Sequence, residues 1–285
     1  MRLGGHVSTS GGVSKAFDRA IAVTAECMQI FTRNQTRWDS KPISEQEAAL
    51  FRKLRAETGI GPNMAHASYL VNLATEDPLL EARSVAAMVD EVRRAEQLSV
   101  EFLVFHPGAH MGAGVDRGVA NIARRLDAII EEAGSAGRVR ILLENTAGQG
   151  SAIGHDLSHL RDILAACRFP DRLGVCIDTC HAFAAGYDFT TDDGYESFVS
   201  ALDDAVGLRR VLAFHLNDSK KALASRVDRH EQIDEGLLTA APIVRFVRDP
   251  RFADRPGTLE TPLAEERYAQ ELKLLRKLAG AKTRK

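Results

Sequence analysis

The chain is short of cysteine, of net charge and of long apolar runs. It has 285 residues with only four cysteines and a formal net charge of −2. So few cysteines exclude a disulfide scaffold, and their positions within apolar segments are typical of reduced thiols in a cytoplasmic protein. No apolar run approaches the length of a membrane span, and no secretory signal opens the sequence. We therefore expect a cytoplasmic protein with no membrane partner.

The overall charge gives little support to a nucleic-acid partner. Lys and Arg number 37 against 39 Asp and Glu, although a basic surface can be local. The hydrophobic share of 45% is sufficient for a sizeable core. No low-complexity linker or internal repeat divides the chain, and its length allows one or two domains.

Eight short apolar segments alternate with eight segments of helical pattern. The predicted strands cover residues 3–8, 27–32, 63–69, 102–106, 139–144, 173–177, 211–215 and 257–260, and the predicted helices cover 14–24, 44–58, 78–97, 116–133, 156–167, 195–206, 241–247 and 264–278. Strict alternation predicts parallel strands, and eight units favour a closed (β/α)8 TIM barrel over a doubly wound open sheet. The predicted fold class is α/β, with one barrel domain over residues 1–279 and a basic, frayed tail over 280–285.

Most of the predicted strands end in a histidine or a carboxylate. The clearest example is apolar from Leu173 to Ile177, stops at Asp178 and is followed by His181. The other strand ends of this kind lie at His66, His106, Glu144, His215 and Glu260. Imidazole and carboxylate groups are metal ligands, and all C-terminal strand ends of a barrel meet on one face. The pattern therefore predicts a metal site there.

The polar loop after the seventh strand adds Asp228 and His230, two residues apart, so that five histidines and four carboxylates are available. Zinc takes about four ligands, so nine suit two or three ions. Chain position suggests three groups: His66 with His106 and Glu144, Asp178 with His215 and Glu260, and His181 with Asp228 and His230. Glu144 lies between the first two groups as a bridge. One histidine after a strand is usually an ordinary hydrogen-bonded residue, but nine such residues at one barrel face indicate a metal cluster.

Several longer segments resemble the endonuclease IV family of apurinic/apyrimidinic (AP) endonucleases. They are Gly-Gly-His6-Val-Ser, Phe-Thr-Arg-Asn-Gln35, His66-Ala-Ser-Tyr69-Leu70, Phe105-His-Pro-Gly108, Leu143-Glu-Asn-Thr-Ala-Gly-Gln-Gly150, Val175-Cys-Ile-Asp-Thr-Cys-His-Ala-Phe-Ala-Ala-Gly-Tyr187, His215-Leu-Asn-Asp218, Ser225-Arg-Val-Asp-Arg-His230 and Leu259-Glu-Thr-Pro262. The resemblance runs nearly end to end. It implies a (β/α)8 barrel that cleaves double-stranded DNA 5′ to an abasic site, leaves a 3′-hydroxyl and trims blocked 3′ ends.

The resemblance also implies three zinc ions per chain, with manganese as an alternative at some sites. The implied ligands are His66, His106 and Glu144 for the first ion, Glu144, Asp178, His215 and Glu260 for the second, and His181, Asp228 and His230 for the third. Glu144 is implied as the catalytic residue that positions the attacking hydroxide. The metal ions would neutralise charge on the scissile phosphate, which removes the need for a catalytic Ser, Cys or Lys.

DNA contacts are implied for two loops and one arginine. In the family, a loop after strand two and a Tyr-Leu pair after strand three enter the minor groove, and here these elements contain Gln35 and Tyr69-Leu70. The family's inserting arginine aligns with Thr36, so Arg37 is predicted to replace it. Arg229 adds positive charge near the same face. Residues that fill a vacated base stack are needed to flip a nucleotide out of the duplex.

Two other functions compete with this interpretation. A metal-dependent sugar isomerase or epimerase uses similar barrels with one or two ions, but Asp228 and His230 support a third ion. A catalytically silent, zinc-dependent binder of damaged DNA would not need the complete ligand set. We expect a monomer, because a face that binds a DNA groove needs no partner subunit.

Overall fold

The computed structural model describes residues 1–280, except for the side chain of Glu265. This part of the chain contains ten β-strands. They are β1 (Arg2–His6), β2 (Cys27–Phe31), β3 (Met64–His66), β4 (Phe102–Phe105), β5 (Arg140–Glu144), β6 (Leu173–Asp178), β7 (Val211–His215), β8 (Asp218–Ser219), β9 (His230–Glu231) and β10 (Pro256–Leu259). Eight of them form a closed barrel in the order β1-β10-β7-β6-β5-β4-β3-β2, and their pairings are parallel. The predicted TIM barrel is therefore confirmed. The predicted tail lies outside the described residues, except for Gly280.

Nine α-helices occur in the same described part of the chain. They are α1 (Lys15–Ala22), α2 (Glu45–Thr58), α3 (Pro78–Leu98), α4 (Val115–Ala133), α5 (Leu157–Ala166), α6 (Thr179–Ala185), α7 (Asp192–Val206), α8 (Ala240–Arg248) and α9 (Tyr268–Ala279). Within residues 1–280, no helix combines the length and the apolar character that crossing a membrane requires.

The structure corrects the predicted elements in three places. Helix α6 was not predicted, although the Asp178 side chain caps it by accepting a hydrogen bond from the His181 amide at 2.8 Å. The predicted polar loop after β7 contains the antiparallel hairpin of β8 and β9. Strand β3 ends at His66 instead of residue 69, because the chain turns where the Val71 amide donates to the Ser68 carbonyl at 3.2 Å.

The barrel interior is filled by a small apolar cluster that consists of strand residues alone. It contains Met64, Phe102, Val104, Leu142, Cys176, Leu212 and Ala213, whereas the larger core lies between the strands and the surrounding helices. Side chains alternate along a strand, so a residue two positions after an interior residue also faces inward. His66 follows Met64 in this way, and Glu144 follows Leu142. The alternation thus directs the polar strand ends into the barrel mouth.

Helix α3 has a buried acidic residue on the side that faces the barrel. Glu91 is fully buried and accepts hydrogen bonds from the Thr32 hydroxyl and, at 3.3 Å, from the Ser68 amide. Burial raises the pKa of Glu91 to about 7, and the Thr32 hydrogen bond and the charge of Arg33 offset part of this effect. The two hydrogen bonds of Glu91 join helix α3 to the chain that follows β2 and to the chain that follows β3.

We expect Glu91→Gln to stabilise the protein more at about pH 8 than at about pH 5. Folding raises the pKa of Glu91 from 4.5 to about 7. The neutral carboxyl therefore contributes its full stability below the pKa of the unfolded state, 4.5. This contribution is lost as the pH rises to the pKa of the folded state, about 7. The difference in unfolding free energy between variant and wild type should rise by roughly 2 kcal/mol over this range. Urea denaturation at both pH values measures it, and a constant difference would contradict the raised pKa.

Candidate metal centre

Six of the nine predicted ligands lie at the C-terminal ends of the barrel strands. They are His66, Glu144, Asp178 and His215, which end β3, β5, β6 and β7, and His106 and Glu260, which directly follow β4 and β10. The other three lie on elements that follow β6 and β7: His181 belongs to α6, His230 to β9, and Asp228 precedes His230 in the hairpin. The barrel topology thus brings residues from distant parts of the sequence to one mouth.

Glu144 lies at the centre of this group. Its side chain is fully buried, and each carboxylate oxygen contacts two imidazoles. Oε2 lies 3.1 Å from Nε2 of His66 and 3.2 Å from Nε2 of His106. Oε1 lies 3.0 Å from Nδ1 of His215 and 3.2 Å from Nδ1 of His181. The residue that the sequence suggested as a bridge therefore contacts histidines on both sides of it.

A second set of ligand atoms surrounds His215. Its Nδ1 lies 3.3 Å from Oε2 of Glu260 and 3.8 Å from Oδ2 of Asp178. The ligand atoms of Glu144, Asp178, His215 and Glu260 all lie within 4.8 Å of one another, as do those of His66, His106 and Glu144. Ligands of one ion must approach each other this closely, so both groups have the compactness of a metal site.

The third group is held together by the Asp228 carboxylate. Oδ2 lies 3.1 Å from Nε2 of His181, and Oδ1 lies 3.4 Å from Nε2 of His230. The ligand atoms that lie within 4.8 Å of one another here are those of Asp178, His181 and His230, a different trio from the predicted one. Oδ2 of Asp178 lies 3.5 Å from the same nitrogen of His230. Cys180 is close to Asp228 and His230, but burial raises the pKa of its thiol to about 12 and the Sγ lies 3.7 Å from the Arg229 carbonyl.

Four of the five imidazoles have one ring nitrogen oriented by a carbonyl oxygen, and for His181 this nitrogen, Nδ1, also lies near Glu144. The contacts are His66 Nδ1 to Ala67 O at 2.7 Å, His181 Nδ1 to Asn145 O at 3.0 Å, His230 Nδ1 to Glu260 O at 3.2 Å and His215 Nε2 to Gln29 Oε1 at 2.8 Å. A carbonyl oxygen only accepts, so the ring nitrogen facing it carries the proton. The other nitrogen of each ring presents its lone pair to the mouth, which is the arrangement of metal-binding histidines.

Two of these inward nitrogens have no hydrogen-bond partner among residues 1–280. Nε2 of His181 and Nε2 of His230 are both buried and unpaired, although Asp228 oxygens lie close to them. The atoms are near but not aligned as donor and acceptor. Two nitrogen or oxygen ligands of a tetrahedral zinc are separated by roughly 3.3 Å without bonding to each other. The unpaired nitrogens and the donor set therefore fit a shared cation.

Burial and charge act in opposite directions on the ionisable groups. Burial raises the pKa of Glu144, but His215 and His106 outweigh it and hold this pKa well below its usual range. Burial lowers the pKa of His181, but Asp178 and Asp228 outweigh it and hold the pKa well above its usual value. The carboxylates therefore keep their negative charge inside the protein. A region that binds protons this strongly also attracts metal cations, which compete with protons for the same atoms.

Comparison with known proteins agrees with this geometry. Residues 17–278 match the family described as xylose isomerase-like TIM barrel. A protein named probable endonuclease 4 from Chloroflexus aurantiacus is 47% identical over 273 residues, which cover 96% of this chain and 95% of that protein. This chain belongs to the endonuclease IV family. The solved endonuclease IV from Thermus thermophilus is 38% identical, with a TM-score of 0.88 over 98% of this chain and 99% of that one.

The family relationship also bears on the competing interpretation as a sugar epimerase. The structure of a D-tagatose 3-epimerase-like protein covers 98% of this chain and 98% of that one with a TM-score of 0.73, but at 19% identity. Similarity of that degree shows the barrel fold alone. The endonuclease IV relatives, which are far more similar in sequence, decide between the two families.

Three amides that support the endonuclease IV centre were not predicted as site residues. Gln29 donates to Oε1 of Glu260 at 2.5 Å, in addition to its contact with His215. Asn217 donates to Oδ2 of Asp178 at 2.6 Å, and its Oδ1 accepts from the Glu260 amide at 2.8 Å. The Asn145 side chain accepts from the Asp178 amide at 2.7 Å. Gln29 could have been recognised from the sequence, because it is a single polar residue in an otherwise apolar strand.

The hairpin with Asp228 and His230 is anchored by another buried carboxylate. Asp218 is fully buried and accepts five backbone hydrogen bonds, all between 2.7 and 3.1 Å. The donors are the amides of Ser219, Asp234, Gly236, Leu238 and Thr239. This carboxylate therefore fixes the turn after β9 against β8, and β8 pairs with His230.

The predicted DNA contacts lie around the mouth. Gln35 and Arg37 are exposed in the loop after β2, and Arg229 is exposed between Asp228 and His230. Tyr69 is 57% exposed, and its ring centroid lies 5.6 Å from that of His66. Leu70 is half-buried beside it. Other large apolar side chains exposed after barrel strands are Leu79, Met111, Leu223, Leu237 and Leu263.

We expect removal of bound metal to lower the melting temperature. Cations that bind the folded protein much more tightly than the unfolded chain stabilise the folded state. Without them, the buried carboxylates lose their partners. Dialysis against a strong chelator should reduce the melting temperature, and stoichiometric zinc should restore it. His215→Ala, which removes one central imidazole, should weaken this response. An unchanged melting temperature after verified metal removal would contradict a structural metal centre here.

Proposed function

We propose that this chain is a class II AP endonuclease. It hydrolyses the phosphodiester 5′ to an abasic site in double-stranded DNA, leaves a 3′-hydroxyl, and removes blocking groups from 3′ ends. It acts as a monomer with three zinc ions. The observation that carries the proposal is the Glu144 carboxylate, whose two oxygens each contact two imidazoles at the mouth of an endonuclease IV barrel.

The residues present would hold the ions in three sets, of which the first two share Glu144. His66, His106 and Glu144 would hold the first, Glu144, Asp178, His215 and Glu260 the second, and His181, Asp228 and His230 the third. When bound, zinc ions supply Lewis acidity, which makes water nucleophilic at neutral pH and stabilises charge on the phosphate. Manganese at some of these positions is compatible with ligands that are oxygen and imidazole nitrogen throughout.

Glu144 would position the attacking water. Its carboxylate is anchored between four imidazoles and excluded from solvent, so it does not need to reorganise when a phosphate binds. Hydrolysis adds the water oxygen to phosphorus and breaks the bond between phosphorus and the 3′-oxygen, which leaves with a proton. A blocked 3′ end has the same bond, so one centre accounts for both activities.

The exposed residues around the mouth would bind the damaged duplex. Tyr69 and Leu70 would fill the space that the flipped abasic nucleotide leaves, and Gln35 and Arg37 would reach into the groove from the neighbouring loop. Arg229 would contact a phosphate. These assignments are supported by exposure and position: the Tyr69 ring is adjacent to His66 and His106, with centroids 5.6 and 6.1 Å apart.

An oligonucleotide duplex with one tetrahydrofuran site tests the proposal. We expect the wild-type protein to nick it on the 5′ side, to produce a 3′-hydroxyl that a polymerase can extend, and to leave intact duplex uncut. Glu144→Gln keeps the size of the side chain but removes the charge and one accepting oxygen, so cleavage should fall by at least about a thousandfold. Circular dichroism checks its folding. A folded Glu144→Gln variant with full activity would refute the role of Glu144.

The metal count gives a separate prediction. Asp228→Ala removes the carboxylate that joins His181 and His230, so bound zinc should fall from about three to about two ions per chain. Elemental analysis of the purified protein measures this. Arg229→Ala, a change at the neighbouring exposed residue, should leave the count unchanged. Equal counts in both variants would mean that Asp228 holds no ion.

A further inference from the structure

Two loops with predicted DNA contacts are attached to the same helix. The β2 loop (residues 32–38) contains Gln35 and Arg37, and the β3 loop (residues 67–72) contains Tyr69 and Leu70. Both follow barrel strands that pair with each other, and both pack against helix α3. The relative position of the two loops therefore depends on their contacts with α3.

Glu91 on α3 contacts both loops with a single carboxylate. Oε2 accepts a hydrogen bond from the Thr32 hydroxyl in the β2 loop. Oε1 accepts from the Ser68 amide in the β3 loop at 3.3 Å. Glu91 is fully buried, so water does not replace either contact. One oxygen is thus used for each loop, and neither donor can be satisfied by solvent if the carboxylate is lost.

Ser68 connects the two loops directly. Its hydroxyl donates to the Gln35 carbonyl at 2.9 Å and accepts from the Leu70 amide at 3.2 Å. The Ser68 residue that Glu91 fixes is therefore bonded to a predicted DNA contact in each loop. A displacement of Ser68 would move Gln35 and Leu70 together.

Arginines complete the attachment of the β2 loop. Arg94 of α3 donates to the Thr32 carbonyl at 3.2 Å, so Thr32 is held through both its backbone and its hydroxyl. Arg33 donates to Asp90 of α3 at 3.2 Å and to the Trp38 carbonyl. These contacts hold the two ends of the β2 loop, but among these side chains only Glu91 bonds to both loops.

We propose that Glu91 is a positioning residue for DNA binding, which sets the β2 and β3 loops in one arrangement before the duplex arrives. This inference rests on the proposed function, because it assumes that the loops enter the damaged duplex. Loops that are ordered before binding lose less conformational freedom on binding, so the contact energy appears as affinity. The hydrogen bonds of Glu91 go to Thr32 and Ser68 and not to a candidate metal ligand, so its loss should weaken binding more than chemistry.

The substitutions Glu91→Gln and Glu91→Leu separate polar contact from packing. Gln can still accept from the Ser68 amide, and its NH2 group can donate to the Thr32 hydroxyl oxygen, so both links survive. Leu fills similar space but makes neither bond. On a tetrahydrofuran duplex, we expect Glu91→Leu to raise KM about tenfold with kcat within about twofold of wild type, and Glu91→Gln to match wild type in both. Zinc content should be unchanged in both variants.

The single tryptophan of the chain provides a readout of loop position without DNA. Trp38 lies at the end of the β2 loop and packs against the core. Its fluorescence should shift to longer wavelength and become more sensitive to acrylamide in Glu91→Leu, but not in Glu91→Gln. With 2-aminopurine opposite the tetrahydrofuran site, the rise in fluorescence on base unstacking should require more protein in the Leu variant.

Two further variants keep the proposal testable if Glu91→Leu does not fold. Thr32→Val removes one of the two links and should give a smaller rise in KM and a smaller Trp38 shift. Glu96→Leu, on the same helix, removes a carboxylate that binds the Val139 amide instead of these loops, and should leave KM and Trp38 unchanged. Unchanged KM in Thr32→Val and in any folded Glu91→Leu protein would overturn the inference. A wild-type protein that does not nick would instead overturn the proposed function.

Discussion

The structure depends on one carboxylate held between four imidazoles. Glu144 is fully buried at the end of β5, and histidines at or just after the ends of β3, β4, β6 and β7 contact its two oxygens. A buried carboxylate is costly unless it is paired, so the fold has to place the ends of these strands accurately relative to one another. A closed barrel meets this requirement because each strand is fixed by two neighbours. An open sheet would leave its edge strands, and the ligands on them, less constrained.

Four of the five candidate ligand histidines have one ring nitrogen oriented by a carbonyl oxygen, and these four are His66, His181, His215 and His230. Three rings bond to backbone carbonyls, and the fourth bonds to the Gln29 side chain. Backbone carbonyls belong to the chain at the strand and helix ends themselves, so ring orientation follows from the fold and does not require additional side chains. Gln29 is the exception, since a side-chain amide from β2 takes the place of a backbone carbonyl. The same amide also bonds to Glu260, which links the two sides of the mouth.

The barrel could be predicted from the periodicity of the sequence, and the same periodicity named the candidate ligands at its strand ends. Apolar strands that stop at His or a carboxylate identify both the strand ends and their face, and six of the nine candidate ligands could be located in this way without coordinates. Contacts of the amides Asn145 and Asn217 could not be inferred, because they depend on the register between β5, β6 and β7. The sequence does not predict helix α6, because the strand-end pattern identifies Asp178 as a candidate ligand and gives no sign that its side chain also caps a helix. Glu91 was hidden within the polar residues of a surface helix, where sequence does not distinguish an inward carboxylate from an exposed one.

The site combines two levels of precision that are supplied by different parts of the fold. Metal ligands must be placed to within about 0.5 Å, and most of them lie on strand ends. Residues that are predicted to enter a DNA groove can tolerate more movement, and Gln35, Arg37 and Tyr69 of this group lie on exposed loops. The loops can therefore change, as the predicted replacement of an inserting arginine by Arg37 illustrates, without disturbing the ligands. The loops still need a defined position relative to the metal centre, and helix α3 supplies it, because the buried Glu91 carboxylate bonds to the first residue of one loop and to the start of the other.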